Sequence, residues 1–159
     1  MNASNAKHFI LSDDVQAFDE PWCHVEKLCH SDTASPQNLL LVRATMPAGE
    51  AHNFHRHPGR EEIIYVLEGK AEQWVGREKS LLGPGDMALI PRNVPHGTFN
   101  AGNDTLRFLA ILSPVEAEGP FTVDVFDEEP WQTLRPPIEY FGYEPLRDES
   151  DSVGGEDEP

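Results

Sequence analysis

Most of the chain between residues 22 and 112 consists of short runs in which apolar and polar residues alternate, each closed by a turn signal. A period of two puts every second side chain on one face of a strand. The pattern predicts strands at 22–30, 39–46, 51–57, 62–67, 71–75, 79–82, 87–90, 96–99 and 105–112. Alternation is clearest in the last of these, where Leu106, Phe108, Ala110 and Leu112 share one face. Pro and Gly clusters at 47–49, 58–59, 68–69, 83–86 and 91–95 supply the turns. Strands at such short intervals, with no long helical pattern between them, predict an all-β sandwich or barrel rather than βαβ units.

The flanks read differently. Residues 1–20 form an N-terminal extension with a short helical turn expected at 13–18. After Pro114 one more strand is expected at 121–126, so the barrel is expected to span 21–126. Residues 127–147 are rich in proline and aromatics, including Trp131, Tyr140, Phe141 and Tyr143. Such a segment is expected to pack across the barrel or a partner subunit. Residues 148–159 are acidic and small, and are expected to be mobile.

Composition narrows the function classes. A chain of 159 residues is long enough for one domain with a real core. With 28 acidic against 12 basic residues, the formal charge is −16, which argues against nucleic acid or an anionic membrane as partner. No apolar run approaches a membrane span, and the first residues lack a basic-then-apolar signal, so a cytoplasmic location is expected. Cys23 and Cys29 would lie roughly 20 Å apart on one extended strand, too far for a disulfide. Both are expected to be free thiols in a half-buried strand, and the neighbouring His24 and His30 do not turn them into a zinc knuckle.

The stretch GEAHNFHRHPGREEIIYVLEG, residues 49–69, carries the candidate chemistry. His55 and His57 project to the same face of an extended segment. The turn at Pro58 and Gly59 lets Glu62 come alongside them, and His96 is a fourth candidate. Imidazole and carboxylate groups converging on one point suit a borderline or hard divalent metal. No Ser-His-Asp triad, phosphate-binding loop or dinucleotide fingerprint is present.

These residues resemble the cupin superfamily. The first stretch fits its first motif, G-x5-H-x-H-x4-E-x6-G, through Gly49, His55, His57, Glu62 and Gly69. The second, GDMALIPRNVPHGTFN, fits G-x5-P-x-G-x2-H-x3-N through Gly85, Pro91, His96 and Asn100. Asn93 stands where the pattern has Gly, and Asn is the residue that best replaces Gly at positive φ.

The resemblance implies a single-domain jelly-roll barrel, a double-stranded β-helix, with short terminal extensions. It implies one divalent transition metal per chain, iron, manganese, nickel or zinc, held by His55, His57, Glu62 and His96. Glu61 is the rival for Glu62; Glu62 is preferred because it shares a face with Ile64 and Val66 and keeps the spacing to Gly69. The implied function is a metal-dependent enzyme acting on a small organic substrate. A dioxygenase is expected first, then an isomerase or decarboxylase, with Glu62 doubling as general base if it is displaced from the metal during turnover. The alternative is a non-enzymatic binder of a metal or small ligand, a sensor or carrier. A homodimer is implied as well.

Parity places Ile64, Val66, Gln73, Val75, Thr98, Phe108 and Ala110 along the pocket. Arg56, Arg60 and Arg92 are candidates to steer a carboxylate or phenolate. His52 has the opposite parity to His55 and His57 and is expected on the rim or surface, or else just behind the ligands.

Overall fold

The computed structural model describes residues 7–34 and 36–152. The first six residues, and residues 153–159 of the tail expected to be mobile, lie outside the described residues. The strands are β1 (Gln16–Glu20), β2 (Cys23–Cys29), β3 (Leu40–Met46), β4 (Ala51–Arg56), β5 (Glu61–Glu68) and β6 (Ala71–Val75). They continue with β7 (Glu78–Leu82), β8 (Met87–Ile90), β9 (His96–Asn100), β10 (Leu106–Ser113) and β11 (Val123–Asp124). A single helical turn, α1 (Trp131–Leu134), follows. Among the described residues, no helix is long and apolar enough to cross a membrane.

Two sheets result, in the orders β1-β2-β3-β10-β5-β8 and β11-β4-β9-β6-β7, with antiparallel pairing throughout. This is the expected all-β jelly-roll barrel. On β10, Leu106, Phe108, Ala110 and Leu112 are all buried while Arg107 is exposed, as their alternation requires. On β5, Glu62, Ile64 and Val66 point inward and Glu61, Tyr65 and Leu67 outward.

The barrel interior has two halves. Met46, Val66, Ala71, Ile90 and Leu106 are at most 1% exposed and fill one half solidly. The other half encloses a cavity of about 500 Å³. A second apolar cluster lies on the outside of the five-stranded sheet, where Phe54, Trp74 and Phe99 meet Val125, Phe126, Trp131 and Ile138. The aromatic segment therefore covers that sheet. It is tied down by Asn53, which exchanges two hydrogen bonds with the Ile138 backbone, and by the buried Asp124, which accepts from Tyr143 Oη and the Leu146 amide.

Three expectations need correction. The helical turn at 13–18 is instead a short 3₁₀ turn, Ser12–Asp14, followed by β1. Residues 16–20 fold back on β2 with register Phe18↔Val25, and the ladder outweighs a weak local helical preference. The strand expected at 121–126 shrinks to β11, because only Val123 and Asp124 pair with β4. Of the residues expected to line the pocket, Val66 and Val75 pack in the apolar core instead and Gln73 is buried behind Thr98, from which it accepts a hydrogen bond; Ile64, Thr98, Phe108 and Ala110 do line it. Alternation identifies an inward residue but not which half of the barrel it enters.

A candidate metal centre at the wall of the cavity

β4 and β9 set His55 directly opposite His96 across the ladder. His57 follows two residues later, just past the end of β4, and Glu62 comes in from β5 on the facing sheet. One ligating atom from each of these four residues lies within 4.8 Å of the other three, and all four residues are buried. Glu61 is exposed and points away, which leaves Glu62 as the carboxylate of the group.

The tautomers follow from the outer partners. Nδ1 of His55 lies 2.7 Å from the Asn53 carbonyl oxygen, Nδ1 of His57 lies 2.7 Å from that of Phe121, and Nδ1 of His96 lies 2.9 Å from that of Val94. A carbonyl only accepts, so each Nδ1 carries the proton and each Nε2 presents a lone pair. Glu62 Oε2 sits 3.3 Å from His57 Nε2 and 2.7 Å from His96 Nε2. The 2.7 Å contact lacks hydrogen-bond geometry, and Glu62 Oε2 and His96 Nε2 are both buried without a hydrogen-bond partner. Electron pairs facing one another with no donor between them are what a cation resolves, so the residues fit a divalent metal.

The four groups also shift one another's titration. Burial pushes the Glu62 carboxyl up, but His57 and His96 beside it hold it well below the usual carboxylate range. Burial pulls His57 down, yet the Glu62 carboxylate outweighs this and leaves it raised. His55 stays well below the ordinary imidazole range through burial and through its histidine neighbours.

His52 is the residue that parity misplaced. The β4–β9 register runs His52↔Thr98 and then His55↔His96, so three steps on β4 oppose two on β9. The extra residue is a β-bulge, which turns His52 onto the same face as His55. Their rings stack with centroids 3.5 Å apart and planes 13° apart, and His52 lines the cavity rather than the surface. Burial, then His57 and His96, push its pKa down to about 3, so the ring is neutral at ordinary pH.

The arginines divide. Arg60 is buried and lines the cavity, donating to the carbonyls of Pro58, Val115 and Pro120. Its guanidinium lies 4.8 Å from the centre of the Phe121 ring. Arg56 instead donates to Asn93 Oδ1 and pairs with Asp148, and Arg92 is exposed; neither lines the cavity. Asn93 has φ of 63°, the positive value its motif position calls for. The cavity wall also includes Phe18, Trp22, Cys23 and Phe121, and the sequence held no signal for their approach.

Comparison with known proteins agrees with this architecture. The family model described as a cupin domain matches residues 42–112. An uncharacterized protein of Methanocaldococcus jannaschii is 32% identical over 90 residues, 57% of this chain and 72% of its own length. The oxalate-binding protein of Thermotoga maritima is 30% identical over 73 residues, 46% of this chain, and the match spans only 60% of that relative. Among solved structures, the polyketide cyclase RemF from Streptomyces resistomycificus superposes with a TM-score of 0.62 at 28% identity, covering 79% of this chain and 91% of that one.

Proposed function

Because the chain belongs to the cupin family, with that family's histidine and glutamate positions gathered at one point, we propose that it is a mononuclear metal enzyme acting on a small organic molecule in the cavity. His55, His57, Glu62 and His96 would hold one divalent transition metal, iron, manganese, nickel or zinc. The observation that carries this reading is the set of three Nδ1–H groups, each spent on a backbone carbonyl, so that the Nε2 lone pairs turn toward Glu62. When bound, the metal supplies Lewis-acid polarisation of a substrate oxygen.

The chain's own residues supply the rest. The apolar walls exclude water and seat the substrate. Arg60 holds the 113–121 loop over the site through the carbonyls of Val115 and Pro120. Should Glu62 be displaced from the metal during turnover, its carboxylate would take a substrate proton as general base.

For the reaction, the likeness to a polyketide cyclase supports a conversion that needs no O2, such as ring closure or isomerisation. Oxygen insertion, the expectation from the motifs, is the second reading; four protein ligands leave open positions on a five- or six-coordinate ion for it. Two copies of the chain are expected to associate. Tyr65, Met87 and Leu89, exposed on the outer face of β5 and the edge strand β8, support this. Two free thiols fit a reducing compartment, the cytoplasm.

The test is elemental analysis of protein purified without chelators, together with O2 uptake and product analysis against phenols and aromatic keto acids. Stoichiometric metal with turnover and no O2 uptake supports the first reading, and substrate-dependent O2 uptake moves it to the second. Metal without turnover of any substrate leaves a binder. No metal after reconstitution removes the enzyme reading altogether. Sedimentation showing a monomer at micromolar concentration would remove the dimer.

A further inference from the structure

His52 is an imidazole that the four-residue group does not use. Its ring is parallel to Trp22 at a centroid distance of 4.6 Å and 16°, and to His55 at 3.5 Å and 13°. Two rings this close and this parallel cannot share one face without colliding, so Trp22 and His55 cover opposite faces. Only the edge of His52, with its two nitrogens, is left to look out. That edge borders the cavity, and neither nitrogen has a hydrogen-bond partner among the described residues. His52 is half-buried and its nitrogens are open to the cavity, so a neutral imidazole there offers one donor and one acceptor to a bound molecule in place of water.

The rest of the cavity is a different environment. Val25, Leu40, Ala44, Phe108, Ala110 and Leu112, all from the six-stranded sheet, form a continuous apolar wall. The space of about 500 Å³ is that of a site for a drug-sized molecule rather than for a two-carbon acid. A small dianion such as oxalate would leave most of that wall facing water. Polar residues line other parts of the space, Glu20, His30, Glu116 and Thr122 among them, while His52 stands beside the metal group.

We propose that the substrate is a ring-bearing, largely apolar molecule with an oxygen on one edge, and that the sandwiched edge of His52 hydrogen-bonds that oxygen. This rests on the enzyme reading above and names its substrate class. His52 is then a specificity residue, set beside the metal group by the bulge in β4 and held in place by its two stacked neighbours. The apolar wall accepts the rings.

The experiment is a binding cycle on the full chain loaded with zinc, using 1-naphthol, naphthalene and oxalate as probes, followed by fluorescence or calorimetry. Wild type should prefer 1-naphthol to naphthalene by about tenfold, the effect of one neutral hydrogen bond, and should bind oxalate more weakly than either. His52→Phe should bind the two ring compounds equally while holding naphthalene as well as wild type does. A preference unchanged in His52→Phe would assign the hydroxyl to another group, and oxalate binding as tightly as 1-naphthol would remove the ring-bearing class; either overturns the proposal.

If His52→Phe does not fold, Ala110→Phe tests the wall. It should weaken both ring compounds at least tenfold with zinc content unchanged, and undiminished binding overturns the proposal. Zinc content of every sample separates this failure from that of the enzyme reading. Zinc without naphthol binding sinks only the substrate class; naphthol binding without zinc sinks only the metal enzyme.

Discussion

The imidazole of His57 donates its Nδ1 proton to the carbonyl oxygen of Phe121, 2.7 Å away and 64 residues further along the chain. The loop carrying Phe121 is in turn clamped by Arg60, which donates to Val115 and Pro120 from a position three residues after His57. The orientation of one ligand thus depends on a loop that no local sequence feature connects to it. Arg60→Ala should release the loop and lower metal affinity by about tenfold or more, the scale seen when a ligating histidine loses its outer partner. Competition titration with a chromophoric chelator would measure it. Arg60→Lys should not restore the affinity, because an ammonium cannot reach three carbonyls in one plane. An unchanged affinity in Arg60→Ala would show that the loop holds its place without the clamp.

The two adjacent glutamates on β5 should separate cleanly. Glu62 is buried with Oε2 facing His57 and His96, whereas Glu61 points outward. Glu62→Gln removes the charged ligand and should reduce bound metal to a small fraction of wild type, while Glu61→Gln should retain a full complement. Metal content of the purified variants decides the matter. Equal content in both would mean that three histidines suffice.

Much of this was legible in the sequence, for identifiable reasons. Strand alternation is a two-residue rule, so it located β5 and β10 and the inward side of Glu62 correctly. The spacing of His55, His57, Glu62 and His96 survived folding because it is built into one strand, one turn and one cross-strand pair. What stayed hidden depends on departures from the rule. The bulge in β4 has no glycine to announce it, so His52 was placed on the wrong face. β1 exists because it pairs with β2, an interaction residues 16–20 do not display by themselves. The partners of the histidines are backbone carbonyls of Asn53, Phe121 and Val94, and a carbonyl leaves no trace in side-chain identity.

The two thiols should differ in reactivity. Cys23 is buried at the cavity wall, and burial, then Glu20 and Asp19, push its thiol up to about 12. The thiolate is the reactive form, so a pKa raised from 9.0 to about 12 cuts its population at pH 8 by roughly a thousandfold. Cys29 is half-buried on the same strand. Native protein should therefore take up one equivalent of iodoacetamide at pH 8, at Cys29, and the second only on unfolding. Reaction at Cys23 should accelerate with rising pH up to about 12 and not level off near 9. Peptide mapping after a timed pulse would show it, and rapid labelling of Cys23 at pH 8 would mean that the cavity opens freely to solvent.

The glycines that open and close the first motif should respond unequally to one added methyl group. Gly49 and Gly69 have similar backbones, with φ of 82° and 86°. Alanine at either position carries the left-handed penalty of about 1–2 kcal/mol. At Gly49 that is the whole cost, because nothing lies within 4 Å of where the Cβ would stand. At Gly69 the Cβ would sit 2.6 Å from the Thr105 carbonyl oxygen and 3.0 Å from the Leu106 Cα, both backbone atoms that cannot swing aside. Gly69→Ala must push apart the β5–β6 turn and the start of β10, the strand that pairs with both β3 and β5. It should cost at least about 2 kcal/mol more than Gly49→Ala, in the range reserved for strain at special backbone positions. Urea midpoints of the two variants, compared at equal slope, measure the difference. Equal midpoints would mean that the 105–106 backbone yields, and that close approach at Gly69 is not what restricts that position to glycine.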